Sequence, residues 1–492
     1  MRTLLLLAIV LVSPAAETLP PLHPLFTDHM VFPRERRAPV WGWAEPGSTV
    51  RVTLGGSSAV VRASGDGAWR AEIGPLRAGG PYDLVVEGRE RIVRRDVLIG
   101  DVWLCVGQSN MAFGLAGAIG GGEEVSAAST AEGLRLYHLG QRIAGSPRTL
   151  PAPGDAPAWQ VPSPQAAAGF SAVAWFAGRA LHRELGVPVG MVCCAWPGSN
   201  IRGWMREEAL APLGMYEEER RDLAALAAVE AAGGADVPAQ ERASVVDPER
   251  RRFQGANGAA TMLWNGGVAP LAPFAFAGAV YYQGEQDAGN PAYGRLLPAL
   301  IADWRTVLRA DLPFVLVALP AFREPVAEPV QQVVTFALAR DSQVEAARAI
   351  PGVGVAVTTD LGEARDVHPR RKREVGERVA AAALGIAYGR PGGGGPLFDD
   401  ASIEGGAMRV RWTRIAGGGL ELRGGPPSGF AIAGTDRVWH AAQARITGEA
   451  LLVSAPEVPS PIAVRYGWAD NPPVTVFDRA GFPAAPFRSD VP

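Results

Sequence analysis

The stretch GDVWLCVGQSNM, Gly100–Met111, sets the reading of the whole chain. Val102 to Val106 form a continuous apolar run of the kind that makes a strand buried on both faces. The run stops in small and polar residues, Gly107-Gln108-Ser109-Asn110. A buried strand ending in a glycine and a serine delivers one hydroxyl to the C-terminal edge of a sheet, where open α/β folds bind their ligands. Glycine permits the tight turn, and a helix starting there aims backbone N–H groups at the same spot. An ordinary strand-to-helix corner capped by Ser109 is the plainer alternative, so the stretch needs chemical partners elsewhere in the chain.

Outward from this stretch, apolar runs alternate with helical patterns. The strand candidates are Val102–Val106, Val189–Ala195, Phe276–Tyr282, Phe314–Leu319 and Val353–Thr358. Between and after them, Ala172–Leu185, Tyr293–Ala310, Val330–Ala349 and Arg370–Leu384 show helix-like spacing of apolar positions. Strands alternating with helices predict an α/β domain over residues 98–390, a parallel sheet flanked by helices. Within it, residues 206–252 are rich in Glu, Arg and Ala and read as a solvated helical insertion. Residues 17–97 carry short β-type runs (Arg51–Gly56, Ala59–Ala63, Tyr82–Gly88) between turn signals and predict a small sandwich-like domain. Trp41, Trp43 and Trp69 would fill its core; a sugar-stacking platform is the alternative. A Gly-rich linker at 391–396 leads to a second β domain at 397–492, with runs at Met408–Trp412, Leu420–Gly424 and Pro461–Trp468.

Composition fits this layout. The chain has 492 residues, 48% of them hydrophobic and 20% charged, enough for a real core and several domains. A formal net charge of −3 leaves no basic footprint and argues against a nucleic-acid partner. Met1-Arg2, the apolar run Leu4–Val12 and the exit Ser13-Pro14-Ala15-Ala16 read as a secretory signal peptide over residues 1–16, with an apolar first strand as the alternative. A secreted or periplasmic protein without membrane insertion is expected. Cys105, Cys193 and Cys194 lie in apolar runs and read as small buried hydrophobes. A bridge from Cys105 to one of the pair stays open.

A nucleophilic serine needs a base and an orienting group. Of the six histidines, His368 stands out. It lies in Asp366-Val367-His368-Pro369, past the last core strand and before a helix, at the same sheet edge as Ser109. An aspartate two residues before a histidine can turn its carboxylate to ring Nδ1 and leave Nε2 for the serine. Acyl transfer also needs donors for the developing oxyanion. Trp196–Asn200 and Tyr282–Glu285, each after a core strand, are the candidate segments. Glu285 there reads as a residue that pins neighbouring loops. No metal-ligand spacing and no phosphate loop occurs, so no metal or other cofactor is implied.

With these residues in view, the chain resembles the sialate O-acetylesterase family of SGNH-type carbohydrate esterases. GQSNM (Gly107–Met111) resembles its nucleophile block, and WPGSNIRGW (Trp196–Trp204) its second block. WNGGVAPL (Trp264–Leu271), YYQGEQDA (Tyr281–Ala288) and DVHPRRKREVGER (Asp366–Arg378) resemble further blocks. Both ends match as well, His23–Gly47 and Arg465–Pro473. The resemblance implies an SGNH-hydrolase-like fold and a Ser109–His368–Asp366 triad. It also implies an oxyanion hole from the Ser109 and Gly198 N–H groups with Gln283 as third donor, Gln283 standing where general SGNH enzymes carry Asn. Gln108, Asn110, Trp204, Arg202 and Glu285 are implied as substrate-binding or supporting residues. The triad segment is D-x-H, where other SGNH branches have D-x-x-H. Arg202-Gly203 replaces an acidic residue and alanine beside Trp204, and Gln286 stands where a small residue is common; both bear on substrate choice. The implied activity is removal of O-acetyl groups from sialic acid or related sugars. Acetylated xylan or another plant polysaccharide is the alternative substrate, and a non-catalytic carbohydrate-binding protein the rival of another class.

Overall fold

A computed structural model of the chain describes residues 19–151, 157–217, 220–233, 260–308, 311–325, 334–390, 393–425 and 428–490. The expected signal peptide at 1–16 lies outside the described residues, as do 218–219 and 234–252 of the expected insertion and 391–392 of the expected linker.

Six strands make up the body of the central sheet: β1 (Arg91–Gly107), β2 (Leu134–His138), β3 (Val189–Ala195), β4 (Gly278–Tyr282), β5 (Phe314–Val317) and β6 (Val353–Ala356). These six are parallel to one another, in the order β6-β5-β4-β1-β3-β2, and a two-residue edge strand, Trp159–Gln160, pairs antiparallel with β2, so the sheet is mixed. β3 to β6 are buried along their whole length, which is why they read as unbroken apolar runs. Helices cover the sheet: α1 (Ser109–Ala112), α2 (Ala172–Leu185), α3 (Tyr293–Leu308), α4 (Phe336–Ala349) and α5 (Lys372–Tyr388). α2 shows how sequence sets such an element. The Ser171 hydroxyl accepts from Ala174 N at its start, and Gly186 takes the left-handed conformation at its end. The expected insertion supplies two α-helices among the described residues, Glu207–Leu210 and Arg220–Gly233, with a 3-10 turn at Ala211–Leu213.

β1 belongs to two sheets. Its first half pairs antiparallel with Gly79–Glu87, which also pairs with Thr49–Leu54. Its second half is the central strand of the parallel sheet. The boundary expected between residues 97 and 98 thus falls inside one strand, and the N-terminal strands share a continuous hydrophobic core with the central sheet. Trp41 and Trp69 are buried in it, with Trp43 packed against it. The C-terminal residues form a seven-stranded sheet over a core of its own, where Phe398 stacks on Phe487 at 4.2 Å.

Cys105 and Cys193 are register partners on β1 and β3, yet all three cysteines are free and buried. Burial pushes the Cys193 thiol up to about 12. Among the described residues no helix is long and apolar enough to cross a membrane.

Candidate active site

Three strands end level. Ala195 of β3 and Tyr282 of β4 are both register partners of Gly107 at the end of β1. The segments that leave these strands, starting at Gln108, Trp196 and Gln283, therefore start side by side. Gly107 has φ +150°, and a Cβ there would sit 2.0 Å from Tyr282 O, so only glycine fits. The chain turns, Gln108 N donates to Tyr282 O (3.0 Å), and α1 begins at Ser109. Gln108 is buried, and its Oε1 accepts from Gly284 N (3.3 Å), Gln286 N (3.2 Å) and Gln283 Nε2 (3.3 Å), which fixes the third segment to the first.

Ser109 is half-buried, and among the described residues neither its hydroxyl nor its backbone N–H has a hydrogen-bond partner. The Gly198 N–H is likewise without one among the described residues. Gly198 has φ +70°, and a Cβ there would meet nothing within 4 Å, so this backbone faces open space. Two unpartnered N–H groups beside a serine at a helix start are what an anionic tetrahedral centre requires.

His368 and Asp366 stand on the segment before α5, with side chains 38% and 52% exposed. Asp366 Oδ1 accepts from His368 N at 2.8 Å and lies 3.7 Å from ring Nδ1. The carboxylate thus caps the backbone and stands one small movement from the ring. No direct hydrogen bond joins Ser109 to His368 among the described residues. The link runs through Asn110, which is fully buried. Its Nδ2 donates to Val367 O (2.9 Å), the residue before His368, and to Glu285 Oε1 (2.6 Å). Its Oδ1 accepts from Lys372 Nζ. His29 also pairs with a carboxylate, Asp96 at 2.7 Å. Asp96 lies near the opposite end of β1, on the order of 35 Å from Gly107 at strand rise.

The remaining expected residues divide by exposure. Gln283 is fully buried, and its Nε2 donates to Asp287 Oδ2 (2.6 Å) and Ser199 O (3.1 Å). Its two N–H groups, expected to serve an oxyanion, are occupied within the protein. Trp204 is buried, and its Nε1 donates to Ser199 Oγ (3.0 Å), so it braces the second segment from behind. Burial raises the Glu285 carboxyl pKa, opposed by its bond from Asn110. Burial likewise raises that of Asp287, opposed by bonds from Asn290, Ile201 N and Gln283. Arg202 and Gln286 line an adjoining cleft of about 410 Å³ with Asn200, Met215, Asp287 and Asn290. A larger cleft, about 650 Å³, lies between Trp41, Arg148, Tyr216 and Trp264 and is lined by none of the expected site residues.

Residues 99–229 match the family described as carbohydrate esterase, sialic acid-specific acetylesterase. The sialate O-acetylesterases of Pongo abelii and Homo sapiens are each 28% identical over 386 residues, 72% of this chain and 68% of theirs. A carbohydrate acetylesterase from Xanthomonas citri has a solved structure that superposes with a TM-score of 0.80 at 33% identity, covering 96% of this chain and 99% of that one. The chain belongs to the sialate O-acetylesterase family of carbohydrate esterases.

It is a carboxylic ester hydrolase, and the rival reading as a non-catalytic carbohydrate-binding protein falls. The fold shared with the Xanthomonas citri carbohydrate acetylesterase reaches from the N-terminal strands through the C-terminal sheet, since the superposition covers nearly the whole chain. Three buried residues at this esterase's sheet edge were not singled out from sequence. Asp287 accepts from Ile201 N (2.7 Å) and so ties the second and third segments together. Gln343 on α4 donates to Gln283 O (2.9 Å). Lys372 opens α5 and meets Asn110. A signal for Lys372 was present: it falls on the helix face of Val375, Gly376, Val379 and Ala383, all buried. A lysine on an apolar stripe needs a reason to be there.

Proposed function

We propose that the chain removes O-acetyl groups from sialic acid or related acetylated sugars by a Ser-His-Asp acyl-enzyme mechanism, as an exported protein. Ser109 Oγ attacks the acetyl carbonyl carbon while His368 Nε2 takes its proton. The Ser109 and Gly198 N–H groups hold the oxyanion. As the tetrahedral centre collapses, the sugar oxygen leaves with the proton from His368. Water, deprotonated by His368, then attacks the acetyl carbonyl, and as the second tetrahedral centre collapses acetate leaves while Ser109 Oγ takes the proton back from His368. Asp366 fixes the ring through Nδ1; for this, the 3.7 Å separation must shorten to about 3 Å, a tightening common when substrate binds. Gln283 has a supporting role, holding the second and third segments in register through Ser199 and Asp287.

The observation that carries this reading is the Asn110 bridge. It ties the residue after Ser109 to the residue before His368, beside two unpartnered N–H groups. Export rests on the leader read in residues 1–16, and the sugar on the printed activity of the relatives. The test is release of acetate from an aryl acetate by Ser109→Ala with unchanged folding. A loss on the order of ten-thousand-fold is expected for a triad member; retained activity would sink the mechanism. Acetate release from O-acetylated sialic acid compared with acetylated xylan then decides the sugar.

A further inference from the structure

We infer that Lys372 is a positioning residue for acyl transfer, its ammonium locking the Asn110 amide that joins the nucleophile turn to the segment carrying His368. The inference rests on the Ser109–His368 reading above. Lys372 has no solvent exposure, which for a lysine is rare without a partner. Its Nζ lies 5.0 Å from the centre of the Phe113 ring and 5.5 Å from that of Tyr282, a cation between two aromatic faces. It donates to Asn110 Oδ1.

That bond, with the two made by Nδ2, sets which way the Asn110 amide points. With Oδ1 facing the ammonium, Nδ2 must face Glu285 Oε1 and Val367 O, and both bonds are made. Reversing the amide would set its NH2 against the ammonium and its oxygen against a carboxylate and a carbonyl. Lys372 therefore completes the set of bonds that holds the link between Ser109 and His368 in a single geometry, without touching either.

The ionisable groups that face Lys372 are Glu285 from the segment after β4 and Asp366 and Glu363 from the segment before α5, with the Tyr282 ring on β4. Glu285 Oε2 is buried and has no hydrogen-bond partner among the described residues, so the Glu285 carboxyl depends on its bond from Asn110. Desolvation pushes the Lys372 ammonium down from the ordinary 10.5 to about 8, against the pull of these acids. As pH rises through 8 the ammonium becomes an amine, the charge-assisted bond to Asn110 weakens, and activity falls. Stability runs the other way. Between pH 8 and 10.5 the unfolded chain carries more protons on this group than the folded one, so this group makes folding more favourable as pH rises. An alkaline loss of activity from this cause is therefore not unfolding.

The experiment compares wild-type protein with Lys372→Met, Lys372→Gln and Ser109→Ala. It measures aryl acetate hydrolysis from pH 6 to pH 10 and thermal unfolding at each pH. Wild-type kcat/KM should fall above about pH 8 while the melting temperature does not. Lys372→Met should lower kcat on the order of 100-fold at pH 7, the scale of an ångström-sized misplacement, with KM little changed and no alkaline limb. Lys372→Gln, which keeps an N–H donor but no titration, should recover part of kcat and also lack the limb. A wild-type profile flat to pH 10, or a wild-type rate and profile in Lys372→Met, overturns the inference. The wild-type measurement decides alone if neither lysine variant folds. An active Ser109→Ala overturns the catalytic reading instead, whatever the lysine variants do.

Discussion

Asn110→Ala is the substitution that most exposes the logic of the site. The side chain is fully buried and makes three bonds: to Val367 O, to Glu285 Oε1 and from Lys372 Nζ. Alanine leaves all three partners in place with nothing to meet. A lost neutral bond costs about 1 kcal/mol, and one to a charged group about 1.5 to 3 kcal/mol. Because the three share one side chain and water can enter the space, we expect a loss of about 3 to 4 kcal/mol. Against a total of about 5 to 15 kcal/mol the protein stays folded at room temperature, with its melting temperature lowered by on the order of 10 °C. The rate should fall further than stability implies, since Ser109 and the His368 segment lose their tie; roughly 100-fold in kcat fits a small misplacement. The assay is a thermal melt beside aryl acetate hydrolysis well below the melt. Ser109→Ala is the control: its hydroxyl has no hydrogen-bond partner among the described residues and should melt like wild type. An Asn110→Ala protein that melts within a degree of wild type and turns over normally would refute the reasoning.

Three other outcomes follow from the same geometry. Gly198→Ala places a side chain at φ +70° in open space, so stability should fall by only about 1 to 2 kcal/mol of left-handed strain. Its kcat should move toward the roughly 100- to 1000-fold loss typical of a displaced oxyanion donor; unchanged kcat would remove Gly198 from the oxyanion site. His23 is buried, and desolvation, opposed by its bond to Thr149 O, lowers its pKa from 6.5 to about 4. Between those values the unfolded chain takes up a proton that the folded chain refuses, so stability falls as pH drops from 6.5 toward 4, by up to about 3 kcal/mol. Urea midpoints at pH 7.5 and 5 should show this slope, and His23→Gln should flatten it. Asp470, from the C-terminal sheet region, accepts from Phe336 N (2.8 Å), Thr335 N (2.9 Å) and Ala337 N (3.2 Å) and so caps α4. Asp470→Ala should cost about 2 kcal/mol in a thermal melt, and an unmoved transition would mean the cap is redundant.

The central elements were legible because two-faced burial leaves an unambiguous trace. Val189–Ala195 and Ala172–Leu185 run in the structure where apolar continuity and helical spacing put them. β1 was not legible as one strand for the same physical reason. Its pattern changes near Val97 from partly exposed to fully buried, because there the strand passes from the N-terminal sheet into the covered centre of the parallel one. A change of burial along one strand reads, in sequence, like a boundary. The level of Ser109, Gly198 and Gln283 followed from their positions after strands. The internal commitment of the Gln283 amide did not, since one of its partners, the Ser199 carbonyl, comes from 84 residues away. Asn110 was visible as a supporting residue, but its tie to Val367 spans 257 residues, and only the fold brings the two together.

The central claim is that Ser109 is an activated nucleophile served by His368. An aryl fluorophosphonate, which reacts with activated serines, tests it most directly. Digestion and mass spectrometry of the treated protein should find one label per chain, on Ser109, with hydrolysis lost in step with labelling and no label on His368→Ala. Full activity in fully labelled protein, or a label on a different residue, would contradict the account.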